Sequence, residues 1–268
     1  MDDDFCKQVL TGALKITTDQ QNPIRINLFS AAMREIFSYV LHLRAPDEEV
    51  TACAWFTAKE GVKRPTRKQR AKYATQGGLS DEYVAELGID VVEFHDQAIS
   101  AIDELSKYTH VRPGTIVTGP AEIDAFVEGA LWALNDLLLS FETCRRTVLN
   151  ALSDTIDDEA VTALISETIQ DVDEIATHHS VDEVIVEGTE VISITHDELC
   201  IRATGTLSVG LQWGSDSDVA NDMGATLDES FPFVVTMRSS VEDTSTFYDI
   251  EYSVDTSDWF GKDDDDDG

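Results

Sequence analysis

The sequence predicts an α+β fold, an all-helical first part followed by a mostly antiparallel β-sheet. Two observations predict it. From the N-terminus to about residue 178, apolar residues recur three and four apart between capping and breaking residues. After Ser180 the period changes to two, with β-branched residues between turn signals.

The elements follow in order. Asp4 to about Lys15 reads as a short helix that Asn22-Pro23 breaks. A second helix runs from about Ile26 to Leu43, with Leu28, Phe29, Ala32, Met33, Ile36 and Val40 along its apolar face. Ala45-Pro46-Asp47 ends it, because the residue before a proline is pushed out of the helical region. Val50 to Phe56 is apolar and fits either helix or strand. Thr66-Arg67-Lys68-Gln69 is a capping box, and Gly77-Gly78 stops the helix it opens. Ser80 caps a short helix that ends at Gly88. Asp90 caps a longer one reaching about Lys107, with Val91, Val92, His95, Ile99, Ile102 and Leu105 on its inner face. Pro120 opens a long helix to about Leu152, and Asp157 starts another that ends near His178, an expected antiparallel pair. Six segments then read as strands: 181–186, 190–195, 198–202, 206–213, 231–238 and 247–254, with turns at Gly188, Gly205 and Asp243. The predicted organisation is a helical domain over 1–178, a β domain over 179–260 and a disordered acidic tail over 261–268, where five aspartates repel one another.

Apolar residues make up 42% of the 268, enough to build a core, so the chain is not a disordered one. No run approaches the roughly 18 apolar residues of a membrane span. Met1-Asp2-Asp3-Asp4 has neither the basic nor the apolar region of a secretion signal, so a cytoplasmic protein without membrane contact is expected. Cys6, Cys53, Cys144 and Cys200 are scattered, without a CxxC, and are expected as buried reduced thiols. The net charge is −33. Such acidity suits either a mimic of nucleic acid or binder of basic partners, or a protein of a salt-filled cytoplasm, where molar salt screens repulsion within about 3 Å. Acid spread through every element and scarce lysine favour the second, and a halophilic source is expected. The charge is divided unevenly. Residues 1–120 hold 14 basic and 17 acidic groups, whereas residues 121–268 hold 5 and 35. The near-neutral part of such a chain has a use for positive charge.

Three groups of residues carry chemistry. Lys59, Lys63, Arg64, Arg67, Lys68, Arg70 and Lys72 place seven cations within fourteen residues, with Tyr73 next to them. Clustered cations suit a phosphate backbone; they equally suit a solvated helix or an internal salt-bridge surface. On the second helix, Glu35, Tyr39 and His42 form one stripe, with Arg34 beside it. A carboxylate, a phenol and an imidazole on one face can move protons; the plainer reading is a hydrated helix face. Lys107-Tyr108-Thr109-His110-Val111-Arg112 packs four polar functions at a helix end, where cations also complement the helix dipole. Two weaker patterns fail. Pro46-Asp47 with Glu60 and Lys63 has the wrong spacing for a PD-(D/E)xK nuclease. Asp216, Asp218 and Asp222 lack the glycine and glutamate of an EF-hand. No ligand set for a metal stands out, and His178-His179 reads as a linker.

These stretches resemble the predicted PIWI-associated nucleases of prokaryotes. The match runs over Met33-Arg34-Glu35 through Ala45-Pro46-Asp47, Cys53 and Trp55, then Thr66 through Glu82, then Leu105 through Val111, about residues 25–150 in all. Gly205 through Asp218 and Ser230-Phe231-Pro232-Phe233 are similar to a module that accompanies such domains. The resemblance implies a role in conflict with invading nucleic acid, RNA or DNA, with a PIWI-type or other defence protein as a partner of the β domain. As a nuclease, the chain would hold phosphates with Arg64, Arg67, Lys68, Arg70, Lys72 and Tyr73. Arg34, Glu35, His42, Lys107 and His110 would act at the scissile phosphate. As a sensor or adaptor, it would use the same basic segment without turnover. Convergence of the three stretches on one concave site favours the enzyme.

Overall fold

The computed structural model describes residues 3–58, 64–166 and 169–260, without the side chains of 91–94. Lys59 and Lys63 of the basic segment and the 261–268 tail lie outside the described residues. The chain divides into two compact units, Met1–Arg145 and Arg146–Gly268.

The first unit is helical. Helix α1 (Asp4–Thr17) is capped by Asp3, whose carboxylate accepts from the Cys6 amide at 2.8 Å. Helix α2 (Arg25–Arg44) carries a buried stripe that includes Phe29, Met33, Ile36 and Phe37. Of the ambiguous segment 50–56, residues 50–52 end helix α3 (Asp47–Ala52), which follows Pro46 and has three acids in its first turn, and residues 53–56 are neither helix nor strand. Helix α4 (Arg67–Gln76) has the predicted capping box of Thr66 and Gln69. It ends at Gly77, where φ of +57° favours a residue without a Cβ. Ser80 caps α5 (Asp81–Glu86), and α6 (Val91–Tyr108) follows. A 3-10 turn, Pro113–Thr115, leads to α7 (Pro120–Ser166). The core of this unit gathers α2, α6 and the first part of α7 around Phe37, Ile102, Leu137 and Phe141.

The expected antiparallel pair of long helices is instead the single helix α7, 47 residues long, followed by the short α8 (Gln170–Asp173). Asp157 resembles a helix start in sequence. No glycine or proline interrupts residues 130–166, however. Cys144, Val148, Leu152, Ile156, Ala160 and Leu164 continue one fully buried stripe through the supposed break. Burial of that stripe outweighs local capping preference.

The second unit holds β1 (His178–Ile194), β2 (Glu198–Trp213), β3 (Ala225–Ser240) and β4 (Asp243–Val254), paired antiparallel in the order β1-β2-β3-β4. Six expected strands are four long ones, because Gly188 and Gly205 lie inside strands and not in turns. Gly188 pairs with Thr204 and Gly205 with Val186. A Cβ on Gly205 would stand 1.9 Å from the Ile185 carbonyl oxygen. Glycine here marks a close approach of two backbones. The turn near Asp243 is present, with Ser240 paired to Asp243. Between β2 and β3, helix α9 (Asp216–Ala220) is opened by a capping box in which Asp218 accepts from Ser215. That role accounts for one aspartate of the calcium-like pattern. Alternate residues of β2 and β3, from Leu199 to Leu211 and Phe231 to Met237, are buried. Helix α10 (Ser257–Phe260) brings Trp259 against Trp213 at 6.1 Å. All four cysteines are free and buried. Among the described residues, no helix is long and apolar enough to cross a membrane.

Candidate nucleic-acid interface

Two of the three predicted stretches meet. A recess of about 30 Å³ is lined by Arg34, Ser38 and His42 of α2, by Arg67 and Arg70 of α4, and by the buried Leu41 and Ile102. It has room for about one water molecule. Helical spacing explains the α2 contribution. Arg34, Ser38 and His42 follow one another at intervals of four and share a face.

His42 is exposed, and its Nδ1 lies 2.7 Å from the Ser38 carbonyl oxygen. A carbonyl oxygen only accepts, so Nδ1 carries the proton. In the neutral ring Nε2 is then the nitrogen that can accept one. Arg34 is one-third exposed and stands 3.7 Å from Glu35, which points to solvent. Tyr39, in the same predicted stripe, turns away and donates to Asp3 at 3.0 Å.

The basic segment is heavily paired. Arg70 is 3% exposed; it donates to the Ala45 carbonyl oxygen and to the Asp47 carboxylate. That hydrogen bond holds Asp47 below the usual carboxylate range against the effect of its partial burial, and the charges of Arg70, Arg64 and His42 act in the same direction. Lys68 meets Asp96 of α6 at 2.6 Å. Lys72 meets Asp81 at 2.7 Å and stands 4.4 Å over the Trp55 ring. Burial works to raise the Asp81 carboxyl; hydrogen bonds from Lys72 and Gln76 outweigh it and leave the group below its ordinary value. Tyr73 is buried, and its hydroxyl donates to Glu49. Arg64 and Arg67 are the loosely held cations. Arg64 is 83% exposed and 3.9 Å from Asp47, and Arg67 is half exposed and 3.7 Å from Asp103. Exposed pairs at such distances are worth little and yield readily to a phosphate.

Lys107 and His110 lie elsewhere. Lys107 pairs with Glu104 on its own helix, and that contact raises its pKa. The carbonyl oxygens of Tyr108 and Thr115 accept from Asn27 near the start of α2, and the His110 carbonyl accepts from Thr115. Asn27 and His42 are fifteen residues apart on one helix, about 22 Å at 1.5 Å per residue. This stretch therefore adjoins the opposite end of α2 from the recess.

Sequence reasoning missed a buried polar relay behind α4. Thr75 donates to the Ala71 carbonyl and stands 3.2 Å from Ser140 and 3.0 Å from His95 Nε2. Burial, helped by Lys68 and Lys72, pushes the His95 imidazole down to about 4. Sequence places His95 only on the inner face of a helix; a histidine among inward positions is the signal that marks such a relay. Among the described residues, no three His, Cys, Asp or Glu side chains gather as a metal centre requires.

Comparison with known proteins places both parts of the chain. Residues 1–134 match a family model described as "Predicted pPIWI-associating nuclease", and residues 141–260 match a second model of the same description. No curated protein and no solved structure matches the chain. Together the two matches reach from the first helix to the last, and the chain belongs to the predicted pPIWI-associating nucleases, a family whose name ties it to prokaryotic PIWI systems.

Proposed function

We propose that the helical unit cleaves phosphodiester bonds of invading nucleic acid at the recess between α2 and α4. The observation that carries this reading is the convergence of Arg34, His42, Arg67 and Arg70, from two predicted stretches, on one recess. His42 Nε2 takes the proton of the attacking hydroxyl or water, since Nδ1 is committed to Ser38. As the new P–O bond forms, the P–O bond to the leaving oxygen breaks, and that oxygen takes up a proton from solvent, to which His42 returns its own. Arg34 and Arg67 stabilise the charge that develops on the non-bridging oxygens, and Arg64 holds the neighbouring backbone. Arg70 is a positioning residue, tying α4 to Asp47 and Ala45. Lys107 and His110 contact a phosphate farther along the strand, and Lys68, Lys72 and Tyr73 brace α4.

A second reading has its own support. Lys68, Arg70 and Lys72 are each matched by a carboxylate, which suits a scaffold that binds nucleic acid without turnover. In that case the chain is a sensor or adaptor, and the β unit addresses a defence partner. Labelled RNA and DNA incubated in high salt, with and without a divalent metal, separate the two. Cleavage that His42→Ala removes while binding persists supports the enzyme; binding without cleavage by the intact protein supports the adaptor.

A further inference from the structure

A second concavity, remote in sequence from the basic segment, lies within the helical unit between α6 and α7. It is a groove of about 800 Å³ that runs from Asp96 to Leu105 on one wall and from Ala125 to Asp136 on the other. Those spans are nine and eleven residues, about 14–16 Å of helix axis. Three turns of a further helix fit that length.

Its surface has the character of a helix-accepting groove. The floor is apolar and firm: Leu105 is 1% exposed, and Phe126 is wedged edge-on against Phe29 and Tyr108 at 6.3 and 4.9 Å. The α7 wall is lowered by small residues, and a Cβ on Gly129 would meet nothing within 4 Å. Trp132 stands at the edge, 60% exposed. An aromatic of that size left in water beside an apolar floor is the pattern of an unfilled contact.

Charge selects the occupant. Asp96 and Glu104 rim one side and Asp136 the other. Asp96 and Glu104 hold Lys68 and Lys107 only through exposed pairs, which an incoming cation can exchange. A second copy of this chain carries −33 overall, and Lys68, Arg70 and Lys72 of its basic segment are already paired with carboxylates; the chain's own run of five aspartates after Lys262 brings like charge to the rim. We infer that the groove between α6 and α7 is the docking site for a basic amphipathic helix of a partner protein, with its apolar face on the accessible Phe126 and Trp132, above the buried Leu105, and its Lys or Arg residues against Asp96, Glu104 and Asp136. This inference stands apart from the reading of the recess.

The test uses the whole protein and a labelled 18-residue helical peptide with leucines at i, i+3, i+4 and i+7 and lysines on the flanking positions. Fluorescence anisotropy is read in about 0.5 M potassium chloride, where charge acts only over a few ångströms. A twin peptide carries glutamate for lysine. Gly129→Leu fills the groove; it replaces a helical glycine at an open position and so preserves the fold, which melting verifies. The lysine peptide should bind the native protein at least tenfold more tightly than it binds Gly129→Leu or than the glutamate twin binds the native protein. Equal affinity for native and filled protein, equal affinity of the two peptides, or no binding overturns the inference. So does a native dimer in sedimentation that Gly129→Leu dissociates, because the occupant is then a second copy.

Discussion

His42 Nδ1 sits 2.7 Å from the carbonyl oxygen of Ser38, one turn back on the same helix. This fixes the tautomer of the one imidazole in the recess and leaves Nε2 unprotonated in the neutral ring. Nitrogen-15 spectra of the imidazoles, assigned through His42→Gln, should show the Nδ1-protonated tautomer for the neutral ring of His42. A spectrum dominated by the Nε2-protonated form contradicts the proposed role as base.

The pairing of the basic segment predicts unequal contributions to binding. Arg64→Ala and Arg67→Ala should each weaken nucleic-acid binding and each lower the salt slope by about 0.7–0.9, the value for one lost phosphate contact. Lys72→Ala should change the slope little and lower the melting temperature, since Lys72 covers Trp55 and bonds Asp81. Equal slopes for all three variants would show that the pairs in α4 do not matter to binding. Arg70→Ala leaves the Ala45 carbonyl and Asp47 without their shared donor. It should cost about 2–4 kcal/mol of stability, measured by denaturant unfolding.

His95 supplies a pH dependence. Its folded pKa of about 4 lies below the ordinary 6.5. Between those values the unfolded chain binds a proton that the folded chain refuses. Stability from this group is therefore complete above about pH 6.5 and is lost as pH falls towards 4, by up to about 3 kcal/mol. His95→Gln keeps a donor for Thr75 and cannot titrate. Unfolding free energies from pH 7 to 4 should fall less steeply for this variant than for the native chain; parallel curves would mean that His95 is not the buried neutral group described.

The close approach at Gly205 is the sharpest constraint in the sheet. Gly205→Ala forces a Cβ into the Ile185 carbonyl and the Phe233 ring. It should destabilise the protein by at least about 2 kcal/mol, whereas Gly129→Ala should not destabilise it. An undisturbed melting transition in Gly205→Ala would contradict the register of β1 on β2.

Local signals carried much of this architecture. Thr66 and Gln69 announce the start of α4 because both halves of a capping box lie within four residues, and Gly77 announces its end. The change of period after Ser180 locates the sheet. What escaped depends on partners distant in sequence. Asp157 looks like a helix start until the buried stripe from Cys144 to Leu164 is seen to run past it. Gly188 and Gly205 look like turns until they are paired across strands. Within the candidate site, the residue types of the recess were legible, since Arg34 and His42 share a helix and Arg67 opens another. The neutralisation of Lys68 by Asp96, 28 residues away, was not, nor was the separation of His110 from His42 along α2.

The most direct test of the account is single-turnover cleavage of labelled RNA and DNA by the native protein, His42→Ala and His110→Ala, with binding and melting measured on the same samples. Loss of a general base typically costs about 10²–10⁴ in rate. The account predicts such a loss for His42→Ala with dissociation constant and melting temperature nearly unchanged, and a change of less than about tenfold for His110→Ala. Full cleavage by folded His42→Ala protein would contradict it.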